Sequence, residues 1–513
     1  MIKAVDLNGR PFHFIGVGGI GMSALAYILA RRGLTVSGSD LRLTHITQKL
    51  QDEGVHIFWN QAASNLEFFQ KKAIESQLER RPIAATNGAA VADVTTSKQQ
   101  TAPSGWDDPF LPQVICSTAI HPENLEYRAA IELGCPIFHR SDVLAALMNE
   151  YRGIAVAGTH GKTTTSSMIS YLLLEAGVDP TVVVGGEVNA WGGNARVGEG
   201  PWLVAEADES DGSLVKLTSE IGIVTNVELD HPDHYNSLDE VVDIFHTFAD
   251  RCKVLIGSID CETVRDRLRP SISYSLNRES QADYTVDDVV YSANGTTAHV
   301  WERGQLLGTL SIKLLGRHNL SNALATVAVG RLVGLEFAVI AQAIASFEGA
   351  RRRFERRGEY GDVLFVDDYA HHPSEVQATL AAAKLQTQGS GATRKRVVAI
   401  FQPHRYSRTQ AFLKEFSTAF GDADVVVTTD IYSAGEPNPG TIDGEQFAQE
   451  IAKHSRALFY TPSLQAVSDR LKEILQPGDI ALFLGAGNLN QVIPDLMQFY
   501  QQQEQTATSP VCA

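Results

Sequence analysis

The chain has 513 residues, 44% hydrophobic and 20% charged, the balance of a soluble globular protein with about three domains' worth of core-forming material. Its 60 Asp and Glu against 43 Lys and Arg give a net charge of −17, which excludes a nucleic-acid groove, so a polyanionic ligand must be held by local cations, N–H groups or metal. Five sparse cysteines (Cys116, Cys135, Cys252, Cys261, Cys512) without a CxxC pair, no basic-then-apolar leader and no run near ~18 apolar residues lead us to expect a cytoplasmic protein without a membrane span.

Pro11 to Val17 reads as a buried strand. Gly16-Val17-Gly18-Gly19-Ile20-Gly21 then opens a helix through Met22 to Arg32, and a second strand, Thr35 to Asp40, ends in an acid. Strand, glycine turn, helix and terminal acid together meet the dinucleotide-binding fingerprint, with glycines for the turn and an acid for a ribose hydroxyl. The alternative is a glycine turn that serves packing alone. From about Gln61 to Pro112 periodicity fades, and we read a surface insertion, about 66–112, with one short helix expected near Phe69 to Leu78. Pattern returns in a strand at Gln113 to Ile120, a helix at Asn124 to Leu133, a strand at Pro136 to Phe138, and a helix Asp142 to Asn149 with Ser141 as its cap.

The stretch that organises the reading is Ala157-Gly158-Thr159-His160-Gly161-Lys162-Thr163-Thr164-Thr165, set between the apolar run Gly153 to Val156 and a helical pattern from Ser166. A glycine turn at a helix N-terminus aims N–H groups and the helix dipole at one point, which favours a polyphosphate. Lys162 would add a point charge there and Thr163 a hydroxyl for Mg²⁺. The loop is two residues tighter than the usual P-loop pattern, since Val156 stands where a glycine is expected and Gly158 lies only three before Gly161; an ordinary strand–helix turn is the bland reading.

Thr181 to Gly186 is strand-like and Asn189 to Arg196 reads as a Gly/Asn-rich loop. The apolar run from Trp202 ends in Glu206, Asp208, Glu209 and Asp211, and a strand-terminal acid beside a phosphate loop is where Mg²⁺ would be held; a solvated acidic loop is the alternative. The strand Ile221 to Val227 ends in Glu228, Asp230, His231, Asp233 and His234, a second candidate metal position. Antiparallel strands are expected from Val289 to Ile312, turning at Asn294-Gly295. His318 and Asn319 either read a base edge or cap the helix they open. Arg351 to Arg353 with Arg356 and Arg357 form a basic cluster that is either solvated or a phosphate contact. Strands at Val363 to Asp368, Arg394 to Phe401, Asp424 to Tyr432 and Ile480 to Gly487 each end in polar side chains or glycines, so the last part reads as doubly wound. Arg405 and Arg408, three apart, could fork a carboxylate. The tail from Gln501 reads as disordered.

Nine stretches, GVGGIGMSALA, STAI, AGTHGKTTT, GGEVNAWGGNAR, AEADESD, TNVELDHPDHY, GRHNLSNALA, DDYAHHPSE and FQPHRYSRT, occur in one order over nearly the whole chain. As an ordered set they resemble the Mur ligases, the ATP-dependent amide-forming enzymes of peptidoglycan synthesis. The resemblance implies an α/β fold in three domains: a Rossmann-like UDP-sugar-binding domain (1–149), a central P-loop-type ATP-binding domain (150–349) and a Rossmann-like C-terminal domain (350–513), with a hinge near Gly349. The tight phosphate loop is the family's own form.

The resemblance further implies that Gly18, Gly19, Ile20 and Gly21 meet a UDP-sugar pyrophosphate, that Asp40 lies near the uridine, and that Ser117, Thr118, Ala119, Ile120 and Asn226 belong to the same ligand. ATP falls to Gly158, Thr159, His160, Gly161, Lys162, Thr163, Thr164, His318, Asn319, Arg353 and Asp367. Mg²⁺, as one ion or two, falls to Thr163, Glu206 and His231, and Lys162, Glu206 and His231 carry the chemistry. Tyr369, His371, Arg405 and Arg408 match the pocket for the incoming amino acid. The implied reaction joins L-alanine to UDP-N-acetylmuramate through an acyl phosphate, in a monomer or weak homodimer, with His371 a weak candidate for the general base. Alternatives are a ligase adding a whole peptide to the same sugar nucleotide, an NAD-dependent oxidoreductase built on the first domain, and a non-catalytic nucleotide-binding regulator.

Overall fold

The computed structural model describes residues 4–69, 111–388 and 394–508, which form three sheets. They divide into two compact units, Met1–Arg152 with Asn194–Val197, and Gly153–Gly193 with Gly198–Ala513. Among the described residues no helix is long and apolar enough to cross a membrane.

In the first unit β1 (Phe12–Ile15), β2 (Val36–Ser39), β3 (His56–Phe58), β4 (Gln113–Cys116) and β5 (Ile137–His139) form a parallel sheet in the order β3-β2-β1-β4-β5. The chain steps outward from β1 to β3 and then returns to the other side of β1. The carboxyl ends of β1 and β4 therefore frame the crevice where open α/β sheets bind ligands. Strands β1, β2 and β4 are buried at every position. That burial forces the polar His13 of β1 to find partners. Its ring nitrogens lie 2.8 Å from Ser37 Oγ and 2.8 Å from Glu126 Oε1. Glu126 also accepts from Ser39 Oγ at 2.5 Å and Asn65 Nδ2 at 2.7 Å.

Two local expectations shift here. Asn124 caps the helix Leu125–Glu132 with its side chain rather than lying inside it. The helix expected at Asp142 begins at Arg140, and its cap is His139, not Ser141: the His139 ring accepts from Ser141 N while Asp142 accepts from His139 N. A helical stretch occupies 64–69; the rest of the helix expected near Phe69 to Leu78, and residues 70–110 of the insertion, lie outside the described residues.

The second unit carries two sheets. Within this unit the larger runs β15-β14-β13-β12-β11-β10-β6-β9-β7. Its parallel part contains β6 (Arg152–Ala157), β7 (Thr181–Val188), β9 (Trp202–Glu206), β10 (Ser219–Val224), β11 (Cys252–Ser258) and β12 (Ile272–Ser275). β13 (Tyr284–Ser292), β14 (Gly295–Glu302) and β15 (Gln305–Ile312) extend it as the expected antiparallel ladder. The Asn189–Arg196 segment is not all loop: a 3₁₀ turn at Asn189–Trp191 is followed by the short strand β8 (Gly193–Arg196), whose residues from Asn194 on belong to the first unit.

The last sheet runs β16-β17-β21-β18-β19-β20. Here β16 (Glu355–Tyr360) is antiparallel to β17 (Val363–Asp368), and β18 (Arg396–Phe401), β19 (Val425–Thr428), β20 (Leu458–Tyr460) and β21 (Asp479–Leu484) complete a parallel set. Alternate residues sort to opposite faces. Leu364, Val366, Val397, Ala399, Ile480 and Leu482 join one buried cluster, and Val363, Phe365, Val398, Ile400, Ala481 and Phe483 join the other. Burial on both faces is why these strands read as unbroken apolar runs. The tail from Gln501 is helical as far as it is described: the helix Ile493–Thr508 runs into it, Gly361 N donates to Glu504, and residues 509–513 lie outside the described residues. Gln and Glu are good helix formers, so this polar run prolongs a helix whose start is anchored in the core.

Candidate active site

Strand β6 delivers the chain to Gly158, and the helix Lys162–Glu175 starts four residues later. The turn is closed so tightly that two positions demand glycine. Gly158 has φ +132°, and a Cβ there would lie 2.0 Å from Thr225 Oγ1; Gly161, at the helix N-cap, has φ +84°. Being glycine, Gly161 offers no side-chain acceptor to the first helical turn, which leaves that end of the dipole open to an anion. Not every loop N–H is available, however. Thr159 N donates to Asn226 O at 3.0 Å and His160 N to Asn226 Oδ1 at 2.9 Å. Asn226 thus braces the loop.

Lys162 Nζ folds back over the loop, 2.7 Å from Gly158 O, 3.1 Å from Thr159 O and 2.8 Å from the Glu209 carboxylate. Burial opposes its charge, but Glu209, Asp208 and Glu206 outweigh that and raise its pKa. Glu209 is 2% exposed, and burial, against the pull of Lys162, pushes it up to about 7. Thr163 Oγ1 donates to Glu206 Oε2 at 2.9 Å, and the same oxygen accepts from Gly185 N at 2.9 Å. His231, after β10, lies 3.9 Å from Glu209 and 3.6 Å from Asp230. Burial, helped by Arg408 and Lys162 and opposed by Asp230, lowers the His231 pKa and keeps the ring a neutral donor. A hydroxyl, carboxylates and a neutral imidazole are a donor set that fits a hard divalent cation beside phosphates.

The last sheet brings a second group of residues to the same place. Arg353 Nη2 lies 3.3 Å from Thr163 Oγ1. His160 of the loop sits between Glu228, at 3.4 Å, and Glu375 of the helix Pro373–Lys384, at 3.2 Å. Burial works against a charged ring there, yet the two carboxylates prevail and push His160 up to about 10. Ser374 Oγ donates to Glu228 at 2.8 Å. A cavity of about 220 Å³ opens beside these groups, walled by His160, Thr164, Asn319, Asn322, Arg353 and Asp368 among others. The residues expected around the incoming amino acid cluster through ring contacts: Tyr369 meets His371 at 5.3 Å, His371 meets His404 at 5.7 Å, and Arg408 lies 3.4 Å from His404. Burial lowers His371 to about 4, so its ring is neutral at pH 7.

In the first unit the glycine turn, Asp40 and the Ser117–Ile120 turn all stand at carboxyl ends of strands. Asp40 accepts from Gly18 N at 2.8 Å, and a Cβ on Gly18 would meet that carboxylate at 2.7 Å. The helix Ile20–Arg31 starts from Gly19 with no side-chain cap, and Ser117 O closes its turn on Ile120 N at 3.1 Å.

Three family descriptions cover this chain in order: "Mur ligase family, catalytic domain" matches residues 11–152, "Mur ligase middle domain" 156–330, and "Mur ligase, glutamate ligase domain" 352–487. The chain belongs to the Mur ligase family. It is 64% identical over 497 residues to the UDP-N-acetylmuramate–L-alanine ligase of Nostoc punctiforme, covering 97% of this chain and 98% of that one. It is 58% identical to the protein of the same name from Microcystis aeruginosa, with 98% of each covered. The crystal structure of UDP-N-acetylmuramate–alanine ligase from Thermotoga maritima superposes with a TM-score of 0.75 at 25% identity, over 96% of this chain and 99% of that one. A murein peptide ligase from Psychrobacter arcticus shares the fold, with a TM-score of 0.66 at 20% identity over 96% and 99%.

Among the residues singled out by the Mur ligase motifs, His160, Gly161, Thr164, His318, Asn319 and Arg353 line the cavity. Asn226 lines it too and holds the phosphate loop. Asp367 does not line it. Adjacent residues of a strand point to opposite faces, so Asp367 turns to Arg357, at 3.4 Å, and Asn490, at 3.2 Å, while Asp368 faces the cavity. Burial, with Arg353 opposing, raises Asp368 to about 6. The two guanidiniums expected to fork a carboxylate are engaged already: Arg408, 3% exposed, binds Asp230 at 2.9 Å, and Arg405 binds Asp233. Glu209, Asp368 and Glu375 were not separated from their acidic neighbours by motif reading. The one usable signal was that each stands in a Mur ligase motif.

Proposed function

We propose that this protein joins L-alanine to the carboxylate of UDP-N-acetylmuramate at the expense of ATP, releasing ADP and phosphate. The observation that carries the reading is full-length likeness, at 64% identity, to a protein so named, on a chain that keeps Lys162 and Thr163 at an open helix N-terminus. The sugar nucleotide is assigned to the first unit, at Gly18, Gly19, Ile20, Gly21, Asp40 and Ser117 to Ile120. ATP is assigned to the phosphate loop and the cavity beside it, with Asp368 on the wall in place of Asp367. Mg²⁺ would be held by Thr163, Glu206 and His231. When bound it would offset the charge of the transferring phosphoryl group. A cytoplasmic setting is favoured by the free thiols of Cys116, Cys252 and Cys261.

The chemistry assigned to the residues is electrostatic. A carboxylate is a poor acyl donor, so its oxygen first takes the γ-phosphoryl group, and the bond to ADP breaks. Lys162 and the open helix end stabilise the charge that spreads over the phosphoryl oxygens. The amine of alanine then bonds to the carbonyl carbon, phosphate leaves, and the nitrogen loses a proton. The pocket at Tyr369, His371 and Arg405 is proposed to orient the alanine. Arg408, locked to Asp230, fixes the segment that carries His231. Gly349, at φ +97°, is the proposed hinge on which the C-terminal sheet swings during turnover.

The test is phosphate release from ATP with UDP-N-acetylmuramate, scanned over single amino acids and a tripeptide. Release that requires both the sugar nucleotide and L-alanine, and is abolished by EDTA and restored by Mg²⁺, is expected. Release with the tripeptide but not with L-alanine would replace this reading by peptide recycling.

A further inference from the structure

Glu375 does two separate jobs with its two carboxylate oxygens. It is the third residue of the helix Pro373–Lys384, and Oε2 accepts from His371 N at 3.0 Å and His372 N at 3.3 Å, closing a capping box with the His372 ring. Oε1 points the other way and meets His160 Nδ1 at 3.2 Å. Oε2 also lies 3.3 Å from the His371 ring. One side chain thus touches the phosphate loop and both the backbone and the ring of a residue in the amino-acid pocket. Beside it Ser374 reaches Glu228, the other partner of His160. The His160 and Glu375 side chains are each 15% exposed, while Glu228 stands at the rim, 42% exposed.

A helix cap alone would not need this arrangement. Gln caps a box as well as Glu does. What only a carboxylate supplies is a negative charge for the His160 ring. That ring is wedged between two acids that the chain brings from 68 residues downstream, Glu228 minus His160, and from 215 residues downstream. The charge therefore joins the third sheet to the loop that grips ATP, at a point next to His371.

We propose that Glu375 is a positioning residue that registers the amino-acid pocket against the phosphate loop, so that alanine is aligned only when the two sheets are held together through His160. It acts through His160 and His371, not on a reacting atom. The alignment of the amine is the step most sensitive to such a register, because a displacement of about 1 Å of a reacting group costs on the order of 100-fold in rate. This rests on the ligase reading above.

The experiment uses the full chain and the variants Glu375→Gln, His160→Gln and the double variant. Glu375→Gln keeps the cap and removes the charge. We expect its thermal midpoint to fall no further than that of His160→Gln, because Glu228 still faces the ring. We expect kcat to fall about tenfold and KM for L-alanine to rise about tenfold, with KM for ATP rising far less. The double variant should be no worse than the worse single variant, since both remove one contact. Equal rises in KM for ATP and L-alanine, or additive losses in the double variant, would overturn the proposal. So would a thermal midpoint that falls in step with activity, which would make Glu375 merely structural. Wild-type phosphate release on L-alanine is read in the same assay, and its absence would count against the ligase reading. In that case the double-variant cycle is read on whichever acceptor the scan identifies, and additivity there still overturns the role of Glu375.

Discussion

Lys162 is the side chain whose removal separates catalysis from stability most cleanly. Its ammonium replaces hydration by two loop carbonyls, at 2.7 and 3.1 Å, and by Glu209 at 2.8 Å. Lys162→Met keeps the helix propensity and most of the apolar stem but deletes the charge. Two losses follow. The transferring phosphoryl group loses its point charge, an effect of roughly 10²- to 10⁴-fold in kcat/KM, or about 3–5.5 kcal/mol of barrier. Glu209, 2% exposed, is left without its cation. Breaking one side of a buried pair costs roughly 3–5 kcal/mol of stability, whereas removing both charges is close to neutral. The double variant Lys162→Met/Glu209→Gln should therefore regain most of the lost stability and none of the lost rate. Urea unfolding reads the first quantity and phosphate release the second. A Lys162→Met enzyme with near-normal turnover would falsify the assignment of Lys162 to phosphoryl transfer. A double variant as unstable as the single one would refute the buried-pair argument.

Gly158→Ala should destabilise the phosphate loop by at least about 2 kcal/mol, because a Cβ would sit 2.0 Å from Thr225 Oγ1 in a backbone conformation with φ +132°; unaltered urea unfolding and nucleotide affinity would count against it. Arg408 holds the Asp230 carboxyl well below the usual range, against the cost of burial. Since the folded value is depressed, this pair stabilises above the ordinary Asp pKa of about 3.9 and the contribution fades as pH falls through it. Arg408→Gln should therefore cost roughly 3–5 kcal/mol at pH 7 and progressively less below pH 4, measured by urea unfolding across pH. His160 is the opposite case: its folded value is raised to about 10, so its pairing with Glu228 and Glu375 stabilises fully below pH ~6.5 and is lost as pH climbs through about 10. The stability gap between wild type and His160→Gln should persist at pH 8 and close near pH 10; a gap that closes between pH 6 and 7 would show a neutral ring.

Much of the local structure was legible because its causes are local. A glycine turn between an apolar run and a helical pattern has few conformations open to it, so the phosphate loop and the first glycine turn could be placed from residues alone. Strands buried on both faces announce themselves as apolar runs, and β6, β10, β18 and β21 lie where those runs stand. The errors were also local in kind. A histidine as helix cap, as at His139, has little propensity signal, and the tail helix draws its stability from packing at its start rather than from its own polar residues.

What the order of residues could not decide is which charged groups meet. Asp367 and Asp368 are equivalent acids until the pleat of β17 turns one to the cavity and the other to Arg357. Glu209 is one of four acids in its motif, yet only its position opposite Lys162, 47 residues away, makes it a buried partner. The pairs Arg408–Asp230 and His160–Glu375 span 178 and 215 residues, and they form because sheet order and the docking of the last sheet bring those ends together. Turn chemistry and burial pattern act over a few residues and are written in the chain. Coulomb interactions act over a few ångströms, and only the tertiary fold converts distance along the chain into distance in space.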